Sequence, residues 1–215
     1  MVISMPVPIL TKHLLLDEFS DADFGAILAI ADAQNRVTVK GYMPFWRFKA
    51  DINAPDYDSK IIQAAAGFID RAKSFQNETP RRGFYFAIRQ KHAPTEPLGL
   101  ISIFPPRSEK DFPGDSYPGD VGVFVGPNFG KNRYAIEAGE GVLSAYFSIT
   151  DIPIQMTASP DNVFSTRVIE LIGAEKIGFE EHCEYDLKPR VTYRLSKQNF
   201  ENSKYISIIS KHKSR

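Results

Sequence analysis

"VGPNFGKNRYAIEAGEGVLSAYF", residues 125–147, is the stretch whose reading decides the fold. An apolar run ends at Val125, a Gly-Pro turn follows, and the chain then collects glycine, lysine, asparagine and arginine. From Tyr134 to Phe147 the apolar residues recur with a helical period. The stretch is a basic, glycine-containing turn at the mouth of a helix. The first four N–H groups of a helix have no partner within it, and the macrodipole adds about half a positive charge there. Such an end holds anions, phosphate above all. Glycine lets the backbone approach an anion closely, while Lys131 and Arg133 add charge. The turn is not a nucleotide-hydrolase P-loop, because Lys131 is not followed by Ser or Thr and the upstream glycine is wrongly spaced; nor is it a dinucleotide fingerprint. An ordinary strand-to-helix turn with solvated basic residues fits the same letters.

The chain has 215 residues, enough for one medium domain. Residues 1–199 read as a single domain and residues 200–215 as a C-terminal tail with a fraying basic end. Hydrophobic residues at 43% and charged residues at 24% suit a globular protein, and 12% aromatics can fill a core. Lys and Arg together number 26, as do Asp and Glu, so the net charge is zero and no broad nucleic-acid-binding face is expected. The single cysteine, Cys183, can form no intrachain disulfide, which fits a reducing compartment. No apolar run approaches the roughly 20 residues that span a bilayer. The N-terminal "MVISMPVPILTKH" lacks a basic start and is broken by Pro6 and Pro8, a poor signal peptide. The expected location is the cytoplasm, without a membrane partner.

Outward from the opening stretch, the pattern predicts a strand over 12–19 and a helix begun by Ser20, with Phe24, Ile27, Leu28 and Ala31 on one face. A proline-broken aromatic loop or short helix follows, then a second helix over 57–76 with Ile61, Ile62, Ala65, Phe68, Ile69 and Ala72 as its stripe. Strands over 83–90 and 97–104 form an antiparallel hairpin across the polar turn "KHAPTE". A proline-rich loop leads to a strand over 120–125, whose Gly122 marks a bulge or a close approach. After the opening helix come a strand at "IPIQMTAS", a helix at "PDNVFSTRVIELIG" stopped by Gly173, and a closing strand pair, "AEKIGFEEHCEY" and "RVTYRLS". The order is that of a mixed α/β fold rather than a doubly wound sheet.

A second stretch, "SPDNVFSTRVIELIGAEKIGF" at 159–179, sets Asn162 and Ser165 three apart at a helix start. Asn162 can cap that helix and point its amide into a cleft, or it can be a cap alone. Together the two stretches resemble the GNAT superfamily, the Gcn5-related N-acetyltransferases, and most of all its RimJ/RimL-like branch of ribosomal-protein N-acetyltransferases. That branch carries "IG" on its third strand, "EIGYWL" on its fourth, "xxWGKGYATEA" at the next helix and "NxxSxRVxEKxGF" near its end. The corresponding segments here are "PLGLISI" (97–103), "DVGVFV" (120–125), "NFGKNRYAIEA" (128–138) and "NVFSTRVIELIGAEKIGF" (162–179), with the weaker "HLLLDEF" (13–19) at the first strand.

The resemblance covers about residues 12–197. It implies a mostly antiparallel, twisted central sheet of about seven strands, splayed between the fourth and fifth, with about four flanking helices. It implies acetyl-CoA as co-substrate and no metal. The pyrophosphate would sit on the turn from Phe129 through Gly130, Lys131, Asn132 and Arg133 to Tyr134. Val123, Phe124 and Val125 of the fourth strand would hold the pantetheine and the acetyl carbonyl. Asn162 would contact the pantetheine arm, and Ser165 would reach the thiol sulfur and protonate the leaving thiolate. The family loop has one glycine where this chain has Asn132 and Arg133, so the loop is one residue longer here. Asn132 is the residue expected to accept left-handed geometry. Many members also place a tyrosine seven residues after the motif asparagine; here Ile169 stands there.

Acetyl transfer to an amine needs a base for the amine's proton. Asp120, where the branch often has Glu, is the first candidate, followed by Glu180, Glu181 and His182 on the sixth strand. Cys183 has no activating partner, and no Cys and His residues have metal-ligand spacing. Tyr42, Phe45, Trp46 and Phe48 border the acceptor site in such a fold, or simply pack. The acceptor is a primary amine, either a peptide N-terminus or a small molecule. A CoA-binding module without turnover and a transferase for longer acyl chains are the alternatives, and the chain is expected to be a monomer or a homodimer.

Overall fold

The computed structural model describes residues 3–36, 51–107, 117–126, 129, 133–182 and 189–203. In chain order the elements are β1 (Ile9–Leu10), β2 (Leu14–Asp17), a 3-10 turn (Asp21–Asp23), α1 (Phe24–Arg36), α2 (Tyr57–Asn77), β3 (Phe84–Gln90), β4 (Ala93–Phe104) and β5 (Asp120–Val125), then α3 (Tyr134–Ile149), β6 (Ile154–Ala158), α4 (Val163–Leu171), β7 (Glu175–Glu180), β8 (Arg190–Leu195) and α5 (Lys197–Glu201). The strands form a five-stranded sheet in the order β1-β2-β3-β4-β5 and a three-stranded sheet in the order β6-β8-β7. Every pairing in both is antiparallel. The mixed α/β plan is the expected one. Two elements are additions to it: β1, too short to leave a period in the sequence, and α5. The expected fourth and fifth strands are β5 and β6, where one sheet ends and the other begins.

The five-stranded sheet has an apolar core on each face. On one side Phe68, Ile69 and Ala72 of α2 and Ile27 and Ala31 of α1 bury against Tyr85, Ala87 and Leu100. On the other, Ala138, Val142, Leu143 and Tyr146 of α3 bury against Leu14, Leu16, Phe86 and Ile101, and this core continues through Met156 and Tyr193 into the three-stranded sheet. The strand alternation of period two divides β5 between them. Val121, Val123 and Val125 pack toward the α3 side, and Phe124 toward α1 and α2.

The start of the first helix is fixed as the sequence suggests. The Ser20 N–H donates to Asp23 Oδ2 at 2.8 Å. Asp23 also receives both arms of the Arg89 guanidinium, at 2.9 and 2.8 Å. Both partners are buried, so this bidentate pair ties the beginning of α1 to β3, and removing either one would strand a charge in the core. In α2 the expected stripe is buried except Ile62, which is 46% exposed. It follows Ile61 by about 100° of helix rotation and so leaves the face that Ile61 occupies. The β3–β4 turn is tighter than expected: β4 already begins at Ala93, and the register slips on either side of Arg89.

Gly99 in β4 lies opposite Val125. A Cβ there would stand 2.7 Å from Val125 Cα and would run into the Phe124 carbonyl oxygen. Glycine is therefore what allows the end of β5 to close onto β4, whereas a Cβ on Gly67 of α2 would meet nothing within 4 Å. Gly99→Ala is expected to cost about 2 kcal/mol by overpacking. Gly67→Ala is expected to gain about 0.5–1 kcal/mol in helix propensity. Urea denaturation of the two variants should move the midpoints in opposite directions.

Candidate active site

The site begins with a strand edge that pairs with no strand among the described residues. The N–H of Gly126 donates to the Leu98 carbonyl at 2.8 Å, and the β4–β5 register runs without a slip from Gly99↔Val125 to Phe104↔Asp120. In an antiparallel ladder alternate residues spend their backbone groups on the neighbour. Phe124, Gly122 and Asp120, in phase with Gly126, therefore face β4. Val121, Val123 and Val125 face the other edge, toward β6. No ladder joins β5 to β6 among the described residues, although β6 is the next strand along. Of the three fourth-strand residues expected at the ligand, Val123 and Val125 present N–H and C=O groups to this gap. The backbone of Phe124 is committed to β4.

At the end of the gap the chain turns into α3. Phe129 N–H donates to the Gly126 carbonyl at 2.9 Å. Gly130, Lys131 and Asn132 lie outside the described residues. Arg133 is the N-cap of α3, exposed, with φ 58 and ψ 18, the left-handed region. Aligned on the following tyrosine, this is the position of the family loop's second glycine, so an arginine here holds the conformation that glycine adopts freely. The carbonyl of Arg133 accepts from the N–H groups of Ile136 and Glu137, both at 3.1 Å. The Tyr134 hydroxyl accepts from Gln90 Nε2 at 3.0 Å.

The first turn of α3 is held by a contact the sequence did not signal. Glu137 accepts from the Thr11 hydroxyl at 2.5 Å and from the His13 N–H at 2.7 Å, and its other oxygen lies 2.9 Å from His13 Nδ1. Burial pushes the Glu137 carboxyl up, but the Thr11 and His13 hydrogen bonds outweigh it and hold the group below the usual carboxylate range. Gly141, one turn on, lets α3 press against the same segment; a Cβ there would lie 2.7 Å from Thr11 Cγ2. The β1–β2 turn thus clamps the helix whose N-terminus faces the loop.

The second helix mouth follows β6. Asn162 Oδ1 accepts from the Ser165 N–H at 3.1 Å, and the Asn162 carbonyl accepts from Thr166 N–H at 3.0 Å. Asn162 is a helix cap, and its Nδ2 has no hydrogen-bond partner among the described residues. The Ser165 hydroxyl is half-buried, with no hydrogen bond among the described residues. Val163 and Phe164 beside it are 69% and 60% exposed, unusual for side chains of their size. A groove of about 420 Å³ runs along the outer face of α4, lined by Val163, Thr166, Arg167, Glu170 and Leu171. Ile169, in the place of the family tyrosine, packs against the core instead. The α4 stop is as expected, with Gly173 at φ 94.

Asp120 opens β5 at the end away from α3, about 17 Å from Val125 along the strand. Its cross-strand partner is Phe104, whose ring packs edge-on against Phe75 and Tyr85. In this apolar setting burial pushes the Asp120 carboxyl up to about 6, against a hydrogen bond from the Val121 backbone that pulls it down. The other expected base candidates lie elsewhere. Glu180 ends β7, and Glu181 and His182 form the exposed bend after it. Because β8 stands between β7 and β6, they are two strands from the gap rather than beside it. Cys183 and the aromatic group Tyr42, Phe45, Trp46 and Phe48 lie outside the described residues. Among the described residues no three His, Cys, Asp or Glu side chains are grouped to hold a metal ion, and no helix is long and apolar enough to cross a membrane.

Comparison with known proteins agrees with this architecture. A family model for the acetyltransferase (GNAT) domain matches residues 13–175. The chain belongs to that family. No curated protein matches its sequence. Among solved structures, Mycobacterium smegmatis RimJ in complex with CoA-disulfide superposes with a TM-score of 0.68 at 13% identity, over 93% of this chain and 89% of that one. A ribosomal-protein-S5-alanine acetyltransferase from Vibrio fischeri gives 0.66 at 16% identity, over 91% and 99%. A GNAT-family acetyltransferase from Bacillus anthracis gives 0.63 at 17% identity, over 89% and 99%. At these identities the likeness is one of fold.

The left-handed Arg133 has a measurable consequence. Arg133→Gly is expected to raise stability by about 0.5–1 kcal/mol, because glycine adopts this conformation without a Cβ clash. Arg133→Ala keeps the clash and should stay within about 0.5 kcal/mol of the parent, as surface substitutions usually do. Thermal unfolding of the three proteins checks both.

Proposed function

We propose that this GNAT-family chain is an acetyl-CoA-dependent N-acetyltransferase that passes an acetyl group to a primary amine, a peptide N-terminus or a small molecule, by direct attack on the thioester. The observation that carries the reading is the edge of β5, unpaired among the described residues, with the N-terminus of α3 beyond its end. Half-buried N–H and C=O groups on a strand edge are open to hydrogen-bond partners. The amides of a pantetheine arm can supply them to Val123 and Val125, as a strand added to a sheet would. The α3 mouth, with Phe129, Gly130, Lys131, Asn132, Arg133 and Tyr134, receives the pyrophosphate. Asn162 Nδ2 is available to the pantetheine carbonyl, and Arg167 in the α4 groove is a second cation for a phosphate of the nucleotide end.

In the reaction the amine nitrogen bonds to the acetyl carbon as the C–S bond breaks. The amine must be neutral to attack, and Asp120, directly or through water, takes the proton that it sheds. The Val123 N–H group, at the gap, polarises the carbonyl as negative charge develops. The Ser165 hydroxyl, with no hydrogen bond among the described residues, donates a proton to the leaving thiolate and is reprotonated from water. Ile169 offers no proton, which supports Ser165 in this role. It also keeps a second reading in view, a CoA-binding module without turnover. A donor with a longer acyl chain would use the same β5 edge.

Arg133→Ala should raise the dissociation constant for acetyl-CoA roughly tenfold, about 1.4 kcal/mol for one charge-assisted contact; an unchanged constant in calorimetry would return Arg133 to the solvated surface. Asp120 acts as base only when ionised, so the rate of acetyl transfer over a panel of amines, peptides first, should fall as pH drops through about 6. Asp120→Asn should remove that limb and leave the limb set by the acceptor amine. The same substitution reports on stability. A raised carboxyl costs the fold above its unfolded value and adds nothing below it, so Asp120→Asn should stabilise the protein by about 3 kcal/mol at pH 7 and by little at pH 3. A stability change of that sign with an unaltered rate profile would remove Asp120 from the chemistry. Binding of acetyl-CoA without transfer to any amine would favour the second reading.

A further inference from the structure

The first turn of α3 is tied to the five-stranded sheet at Tyr134 and at Glu137. Glu137 is an acid in that turn, where the helix dipole alone would favour it. Its oxygens are nevertheless turned onto the β1–β2 turn, where the Thr11 hydroxyl, the His13 N–H and the His13 ring meet them. Gly141, four residues on and so on the same face of the helix, gives that turn room to lie against α3. The tie at Tyr134 comes from β3, whose Gln90 donates through Nε2 to the tyrosine hydroxyl at 3.0 Å. Both ties share a base: Lys91 N–H donates to the His13 carbonyl at 2.8 Å, and Gln90 pairs with Leu14.

What these ties hold is the aim of a few backbone donors. Ile136 and Glu137 give their N–H groups to the Arg133 carbonyl, both at 3.1 Å. Helix geometry then directs the N–H groups of Tyr134 and Ala135 out of the end of α3. Backbone donors bind a phosphate well only when the segment that carries them is fixed by its surroundings. Helix ends fray, and this one starts from Arg133, a strained left-handed cap. A tie one turn further along, at Glu137, keeps such a start in place.

We propose that Glu137 is a positioning residue for acetyl-CoA. By holding the Thr11 and His13 donors it fixes the first turn of α3, so that the N–H groups of Tyr134 and Ala135 stay aimed at the pyrophosphate. The inference rests on the acyl-CoA reading of the α3 mouth. Glu137 itself touches no part of the ligand. A free carboxylate one turn into a helix would repel a phosphate at its end, and the β1–β2 donors draw that charge to themselves. His13 lies 124 residues before Glu137. Through this contact the N-terminal segment of the chain takes part in ligand binding without reaching the ligand.

The test measures acetyl-CoA binding by calorimetry in the full chain, well below the thermal midpoint of every variant. Glu137→Ala should raise the dissociation constant roughly tenfold, the scale of one charge-assisted hydrogen bond. Glu137→Gln keeps an oxygen for the Thr11 hydroxyl and the His13 N–H, and should bind within about threefold of the parent. Gly141→Ala gains helix propensity, yet its Cβ would stand 2.7 Å from Thr11 Cγ2 and push the β1–β2 turn off α3, so binding should weaken about threefold. It carries the test alone if Glu137→Ala does not fold. Hydrogen exchange reads the same tie without ligand: in Glu137→Ala the Ile136 amide should exchange about tenfold faster, with the Leu143 and Tyr146 amides unchanged. Parent affinity in Glu137→Ala or Gly141→Ala, a Gln variant as weak as the Ala variant, or a uniform rise in exchange along α3 would overturn the proposal. A parent that binds no acetyl-CoA would overturn the acyl-CoA reading and this inference together, whereas equal binding by the parent and Glu137→Ala would remove this inference alone.

Discussion

The structure depends on a hydrogen-bond ladder that stops. Between β5 and β6 two strands lie side by side without pairing. The cost is borne by the backbone of Val121, Val123 and Val125, whose outward groups have no strand to bond among the described residues. A chain of ordinary composition would close such a gap, as sheets gain from every pair. Here the surrounding elements keep it open. Gly99 lets the end of β5 collapse onto β4 rather than spread toward β6. The antiparallel β6–β8 ladder from Ile154↔Leu195 to Ala158↔Val191 occupies the other edge of β6. Each strand beside the gap is fully engaged on its far side.

The ends of the gap are shaped by helix caps of two kinds. At α4 the cap is conventional, an asparagine side-chain carbonyl taking the Ser165 N–H, and it leaves both the side-chain NH2 of Asn162 and the hydroxyl of Ser165 without a partner among the described residues. At α3 the cap is an arginine in a conformation that costs about 1–2 kcal/mol for a residue with a Cβ. Strain of this sort persists where the surroundings over-determine it. The clamp of Glu137 by Thr11 and His13 does that, since it fixes the first turn of α3, which Arg133 caps, against the β1–β2 turn. A positive charge is thereby held at a helix N-terminus where a glycine would have been easier to place.

Much of this is legible in the sequence. The β5 strand, the start of α3 at Tyr134, the Asn162 cap and the Gly173 stop all follow from local chemistry: a period of two giving way to a turn, a period of 3.6, a cap residue, a left-handed glycine. The left-handed Arg133 is a feature that local reasoning did not signal. Asparagine is the better left-handed former, so propensity favours Asn132, which lies outside the described residues; the left-handed residue described is Arg133. The extra β1 and the Glu137 clamp are invisible for a different reason. Glu137 meets His13 across 124 residues of chain, and no spacing rule reaches that far. The distance of Glu180 to His182 from the gap is hidden for the same reason: strand order is a property of the sheet, and β8 inserts between β6 and β7 although it comes last.

Strand alternation makes the central claim measurable, because it dictates which backbone groups of β5 meet the ligand. In an amide NMR titration with acetyl-CoA, the N–H resonances of Val123 and Val125 should shift strongly, while those of Gly122 and Phe124, bonded to β4, should move little. Shifts of equal size along β5, or shifts confined to residues away from the gap between β5 and β6, would contradict the assignment of that gap as the acyl-CoA site.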